Sequence, residues 1–88
     1  MTNPYLPETL REAAAVNRLR IVTLIADLTR MADILTADIE HEEERAGVRD
    51  LADPAYPALA LTLRVRRQNL RVTIASLEAV IQRKPEAA

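Results

Sequence analysis

Two long stretches without glycine or proline are separated by a short segment that contains the chain's only glycine. Residues 8–46 and 58–84 hold neither residue type, whereas Gly47–Pro57 holds the one glycine and two of the five prolines. Glycine ends helices and proline cannot continue them, so this pattern predicts two helices joined by a turn. We expect one domain over 1–88, with helix 1 at about 7–46, a connection at 47–56 and helix 2 at about 57–84. Residues 53–57 repeat the Asx-Pro-x-x-Pro pattern of residues 3–7, which we interpret as two helix starts with the same capping chemistry.

Apolar residues recur along both stretches at spacings of three and four, which places them on one face of a helix. The members of this stripe that we expect to form an oligomer interface are Leu10, Ile21, Leu24, Leu28, Met31, Leu35, Leu63, Leu70, Ile74 and Leu77. Two such helices on either side of a short turn give the predicted fold class, which is all-α. The architecture is an antiparallel hairpin of two long helices.

The two predicted helices carry opposite charge. Between Glu8 and Ala46 there are five arginines and nine acidic residues, whereas between Pro57 and Lys84 there are six basic residues and one acidic residue. Folding the chain at the connection brings arginines of helix 2 near acids of helix 1, namely Arg64, Arg67 and Arg71 near Asp33, Asp38 and Glu40. Opposite charges favour this antiparallel register, although an exposed pair contributes only about 0.2–1 kcal/mol.

Helix 1 is longer than helix 2, so residues 10–18 project past the end of helix 2 in this register. Leu10 and Val16 then have no neighbour within the chain, and Ile34 and Val72 widen the exposed apolar surface. Monomeric proteins seldom expose apolar patches larger than a few hundred Å². We therefore expect a homo-oligomer, specifically a two-fold dimer of hairpins that forms a four-helix bundle. Completion of the hairpin by a different protein is the alternative.

The basic cluster Arg64, Arg66, Arg67 and Arg71 admits two interpretations. Arginines spaced along one helix can contact phosphates, so the alternative function is a nucleic-acid-associated regulator. However, the cluster has no interleaved aromatic residue and the chain has a net charge of −1, which argues against nucleic acid. We expect Arg64, Arg67 and Arg71 to form salt bridges with helix 1 and Arg66 to contact a partner. Asn17 and either Arg66 or Arg67 interrupt the apolar stripes, where a polar residue can fix the register.

An acidic run, Glu40–Glu44, contains the only histidine, His41. Carboxylates and an imidazole on one helix face can bind a divalent metal. Such bundle sites also need glutamates from neighbouring helices, and helix 2 offers only Glu78. We interpret the run as a solvated polar face and predict neither a metal nor a cofactor. With no cysteine and a single serine, Ser76, the chain offers no nucleophile–base pair, so we predict no catalytic activity.

The first seven residues lack the basic and apolar segments of a signal peptide. The longest uncharged run, Pro54–Leu63, is too short to cross a bilayer. We expect a cytoplasmic protein without membrane contact. The predicted function is that of a small helical-bundle interaction protein that self-associates and acts as an adaptor, a chaperone-like binder or an assembly factor.

Overall fold

The structure, a computed structural model, describes residues 6–83, with side chains from Leu10 onward. Over this range the chain forms two helices, α1 at Leu6–Ala46 and α2 at Ala58–Gln82. The helices pack against each other in a rod that measures 70 × 22 × 16 Å. The predicted all-α hairpin of two helices is therefore confirmed. Lys84, the expected end of helix 2, lies outside the described residues.

The two helices meet along a seam whose residues alternate in spacing between three and four. On α1 the buried or half-buried seam residues are Ile21, Ile25, Leu28, Ala32, Leu35, Ile39 and Glu42. On α2 they are Ala60, Leu63, Arg67, Leu70, Ile74, Leu77 and Ile81. This repeat of seven residues is the pattern of a coiled coil, here formed by two antiparallel helices.

Polar contacts fix the register at three levels of the seam. Near the turn, Arg64 Nη2 lies 3.2 Å from Glu43 Oε2. In the middle, Arg67 Nη1 donates to Thr36 Oγ1 at 2.9 Å. At the open end, Arg18 Nη1 donates to the carbonyl oxygen of Ile81 at 2.7 Å, which satisfies a carbonyl in the last turn of α2. Because α2 ends at Gln82, the part of α1 that precedes Arg18 extends beyond it.

Helix α1 ends in a glycine motif that returns the chain toward α2. Gly47 adopts φ +70°, a left-handed conformation that glycine reaches without a steric penalty. The N–H of Gly47 donates to the carbonyl of Glu44, and the N–H of Val48 donates to that of Glu43, both at 3.2 Å. These are the two bonds of a Schellman motif. Val48 then packs on the core formed by Ile39, Tyr56 and Ala60.

Two aspartates shape the connection between the helices. Asp50 Oδ1 accepts the N–H of Ala52 at 2.9 Å, and Asp53 Oδ1 accepts the N–H of Ala55 at 2.8 Å. Both are Asx turns, in which the side chain replaces a backbone turn bond. Helix α2 begins after Pro57, whose side chain makes no cap bond, so the helix-start motif of residues 53–57 does not cap the helix through Asp53. Asp53 stabilises the preceding turn instead.

The buried core is small and lies mainly toward the turn. The buried apolar side chains of the described residues are Ala32, Leu35, Ile39, Tyr56 and Ala60. Toward the open end the seam residues are only half-buried, whereas Tyr56 and Val48 of the connection cover the seam near the turn. Within residues 6–83, no helix combines the length and apolarity that a membrane crossing requires.

Candidate interaction surface

Three polar side chains form a closed hydrogen-bonded group at the turn, which we call the turn cluster: Glu43, Tyr56 and Arg64. The Tyr56 hydroxyl donates to Glu43 Oε2 at 2.8 Å, and Arg64 Nε donates to the Tyr56 hydroxyl at 2.8 Å. Arg64 Nη2 completes the triangle by donating to the same Glu43 oxygen at 3.2 Å. Glu43 is buried, and each of the three residues comes from a different part of the fold.

The turn cluster stabilises the charged forms of Glu43 and Arg64. The hydrogen bond from Tyr56 is the main reason that the pKa of Glu43 lies below its usual range, and Arg64 acts in the same direction against the opposing effect of burial. The pKa of Arg64 is raised, first by the Tyr56 hydroxyl and then by Glu43. Because the positive and negative charges are paired, the cluster holds the turn together.

The four arginines of the predicted basic cluster lie in different environments. Arg64 belongs to the turn cluster, and Arg67 occupies the seam, where burial is the main cause of a lowered pKa. Arg66 is exposed and lines a groove. Arg71 is exposed and forms no ion pair with any residue that the structure describes. Two of the four guanidinium groups are therefore engaged between the helices.

The predicted ion pairs with Asp33, Asp38 and Glu40 are wrong. Across the helices, the ion pair found among the described residues joins Arg64 to Glu43. The heptad positions give the reason: Asp38 lies on the opposite side of the seam from Arg64, and Asp33 and Glu40 lie farther around α1, on its outer surface. Charge opposition correctly predicted an antiparallel hairpin but not which carboxylate an arginine contacts.

Three glutamates of the acidic run have partners in the turn region. Glu42 Oε2 lies 2.7 Å from Arg45 Nη2, and Glu44 Oε1 lies 3.7 Å from Arg49 Nη2. Glu43 belongs to the turn cluster. Among the side chains that the structure describes, no three His, Asp or Glu groups are arranged to hold a metal ion.

The two sides of the hairpin differ in polarity. Because residues seven apart share one row in a coiled coil, each side presents one row from each helix. On the polar flank the rows are Val22, Thr29, Thr36 and Glu43 of α1 and Arg64, Arg71 and Glu78 of α2. On the apolar flank they are Leu10, Asn17, Leu24, Met31 and Asp38 of α1 and Leu59, Arg66, Thr73 and Val80 of α2.

Large apolar side chains on the apolar flank are open to solvent. Leu24 is 45% exposed, Met31 50% and, beside this row, Ile34 55%. One groove on this flank, of about 200 Å³, is lined by Met31, Ile34, Leu35, Arg66 and Leu70. A second, of about 380 Å³ near the open end, is lined by Ala14, Asn17, Arg18, Ile21, Val80 and Ile81. The two grooves show that the α1 and α2 rows lie side by side.

A third groove lies between the connection and α2. It measures about 380 Å³ and is lined by Leu51, Leu61, Arg64, Val65, Gln68 and Asn69. It lies on the outer side of α2, away from the apolar flank. The hairpin therefore exposes apolar side chains on two separate surfaces.

The predicted interface residues divide into two groups. Seven lie in the seam between the helices of one chain: Ile21, Leu28, Leu35, Leu63, Leu70, Ile74 and Leu77. Leu10, Leu24 and Met31 are exposed on the apolar flank. The sequence pattern merged the two groups because adjoining helix faces both follow three-and-four spacing.

Sequence reasoning missed Val80 and the turn cluster. A search for rows at seven-residue spacing would have found Val80, since it follows Thr73 and Arg66 at that interval. The contact between Tyr56 and Glu43 has a weaker signal, namely an isolated aromatic residue in a connection that follows an acidic run.

No protein-family model matches this chain, and neither the curated proteins nor the solved structures contain a significant match. Inference about function therefore rests on the geometry and chemistry of the chain itself.

Proposed function

We propose that this protein is a protein–protein interaction module that self-associates through its apolar flank. Two hairpins pair to form a four-helix bundle, and the assembled bundle serves as an adaptor or assembly factor. The observation that carries this proposal is the row of exposed apolar side chains beside the seam, with Leu24, Met31 and Ile34 at its centre.

Burial of this row supplies a driving force for association. Removing a large aliphatic side chain from water contributes about 1.5–3 kcal/mol when burial is complete. The intramolecular seam leaves Leu24, Met31 and Ile34 about half exposed, so each retains surface that a partner could cover. Burial of the three side chains in each of two copies is sufficient to offset part of the entropy lost when two chains associate.

The distribution of charge on α2 supports the same surface. The apolar-flank row of α2 contains a single charged residue, Arg66, and the adjoining positions Thr62, Asn69 and Ser76 are uncharged. Protein interfaces are depleted of charged residues at their centres, with arginine as an exception that is enriched there. A nucleic-acid function has less support, because Arg64 and Arg67 are engaged between the helices.

The test is the absolute mass in solution, measured by light scattering on a sizing column over about a hundredfold range of concentration. We expect wild-type protein at twice the chain mass of 9.8 kDa and Met31→Glu at the chain mass. Ala37→Glu is the matched control, because it adds the same charge to an exposed position of α1 outside the apolar flank. It should remain dimeric. A wild-type monomer throughout the range would overturn the proposal.

A further inference from the structure

We propose that the two hairpins associate with their turns at opposite ends, so that α1 lies antiparallel to α1 of the partner copy. The two-fold axis passes near Asp27 and Leu28. This inference rests on the proposed self-association and adds its geometry. Three independent features of α1 lead to it: the symmetry of its exposed row, the position of unpaired charges and the length of the helix.

The part of the α1 row from Asn17 to Asp38 is self-complementary about this axis. Reversing the row places Leu24 opposite the partner's Met31, so that apolar side chains meet at the centre. One heptad farther out, Asn17 lies opposite the partner's Asp38, where its amide can donate to the carboxylate. Each contact occurs twice by symmetry, as a two-fold interface requires.

Charge complementarity favours the same register. Arg20 and Asp38 are both exposed, and neither forms an ion pair with another residue in the described part of the chain. In the antiparallel arrangement Arg20 lies about 4.5 Å along the axis from the partner's Asp38, which an arginine side chain can span. The arrangement therefore pairs two charges that the isolated hairpin leaves unpaired.

The length of α1 supplies the third argument. Helix α1 has 41 residues and α2 has 25, so about the first three turns of α1 have no α2 beside them. The middle of Leu6–Ala46 falls close to the proposed axis, and antiparallel α1 helices therefore overlap along almost their whole length. Each projecting segment then lies beside the turn end of the partner. With the turns at the same end, the two projecting segments would extend past both copies of α2.

Disulfide cross-linking distinguishes these geometries, because the chain contains no cysteine. Leu24→Cys and Met31→Cys are prepared separately, mixed to allow exchange of subunits and oxidised in a glutathione buffer. We expect a 24–31 link in the mixture and no link in either variant alone. Identical positions are offset by about 10.5 Å along the axis, whereas a disulfide needs Cα atoms within about 7 Å.

Two further measurements make each outcome decisive. Asn17→Cys mixed with Asp38→Cys should link in the same way, and Ala37→Cys, outside the apolar flank, should not link to itself. A dimer in which Leu24→Cys links to itself, or in which neither mixture links, would overturn the geometry and leave self-association standing. A monomer by light scattering would overturn the proposed function, and this inference with it.

Discussion

Glu43 joins three parts of the fold through both its side chain and its backbone. Its carboxylate accepts hydrogen bonds from Tyr56 in the connection and Arg64 in α2. Its carbonyl oxygen accepts the N–H of Gly47 at 2.9 Å and that of Val48 at 3.2 Å. A buried carboxylate is costly unless its hydrogen bonds are satisfied, and the structure leaves no described buried side-chain polar atom without a partner.

The lowered pKa of Glu43 predicts that the protein loses stability in acid. A carboxyl group with a lower pKa in the folded state contributes stability that is present above its unfolded pKa, near 4.5, and is lost as the pH falls through the folded value. Tyr56→Phe removes the main cause of the shift. We therefore expect Tyr56→Phe to lower the melting temperature at neutral pH and to flatten its dependence on pH below about 4.5. Circular dichroism melts between pH 3 and 7 measure both effects.

The matched control is Tyr56→Phe in a Glu43→Gln background. With no carboxylate to titrate at position 43, the added loss of the Tyr56 hydroxyl should leave the pH dependence unchanged. If Tyr56→Phe in the wild-type background retains the full acid sensitivity, the hydrogen bond from Tyr56 is not the main cause of the lowered pKa of Glu43.

At the scale of an element, the end of α1 depends on one backbone conformation. A Cβ built at Gly47 meets no atom within 4 Å, so space does not restrict the residue at this position. The restriction comes from φ +70°, which costs a residue with a Cβ about 1–2 kcal/mol. Asparagine tolerates this conformation better than alanine.

We therefore expect Gly47→Ala to lower the free energy of unfolding by about 1 kcal/mol, and Gly47→Asn by less. Urea titration of the three proteins at one concentration measures the difference. Equal stability of the alanine and asparagine variants would show that the left-handed conformation is not the limiting feature of this turn.

The seam shows what the sequence can predict about an element. Spacing predicted two helices and the side of each that is buried, because apolar periodicity reflects burial directly. It did not predict which arginine enters the seam, since Arg66 and Arg67 interrupt the stripe equally well in sequence. The structure places Arg67 there, donating to Thr36, whereas Arg66 lies on the apolar flank. Which arginine enters the seam depends on how the two helices are rotated relative to each other. The apolar pattern of one helix does not predict that rotation.

At the scale of the whole molecule, the sequence predicted the hairpin and the projecting start of α1. The turn cluster could not be predicted in the same way, because it depends on three residues that are brought together only after the chain reverses. The same limit applies to the two flanks. Their difference in polarity appears when the rows of both helices are set side by side, as in the groove lined by Met31 and Arg66.

A rod with a small core and an exposed apolar flank should gain stability from association. If only the folded protein dimerises, dilution must lower the melting temperature, because the monomer–dimer equilibrium is coupled to folding. A tenfold change in concentration corresponds to about 1.4 kcal/mol, or about 3–6 °C for a dimer of this size. We expect the melting temperatures of the wild type and of Ala37→Glu to fall by this amount for each tenfold dilution. The melting temperature of Met31→Glu should be lower and independent of concentration. Melts at three concentrations measure it. A wild-type melting temperature that stays constant on dilution would mean that the hairpin folds without a second copy, and the exposed flank would then contribute nothing to its stability.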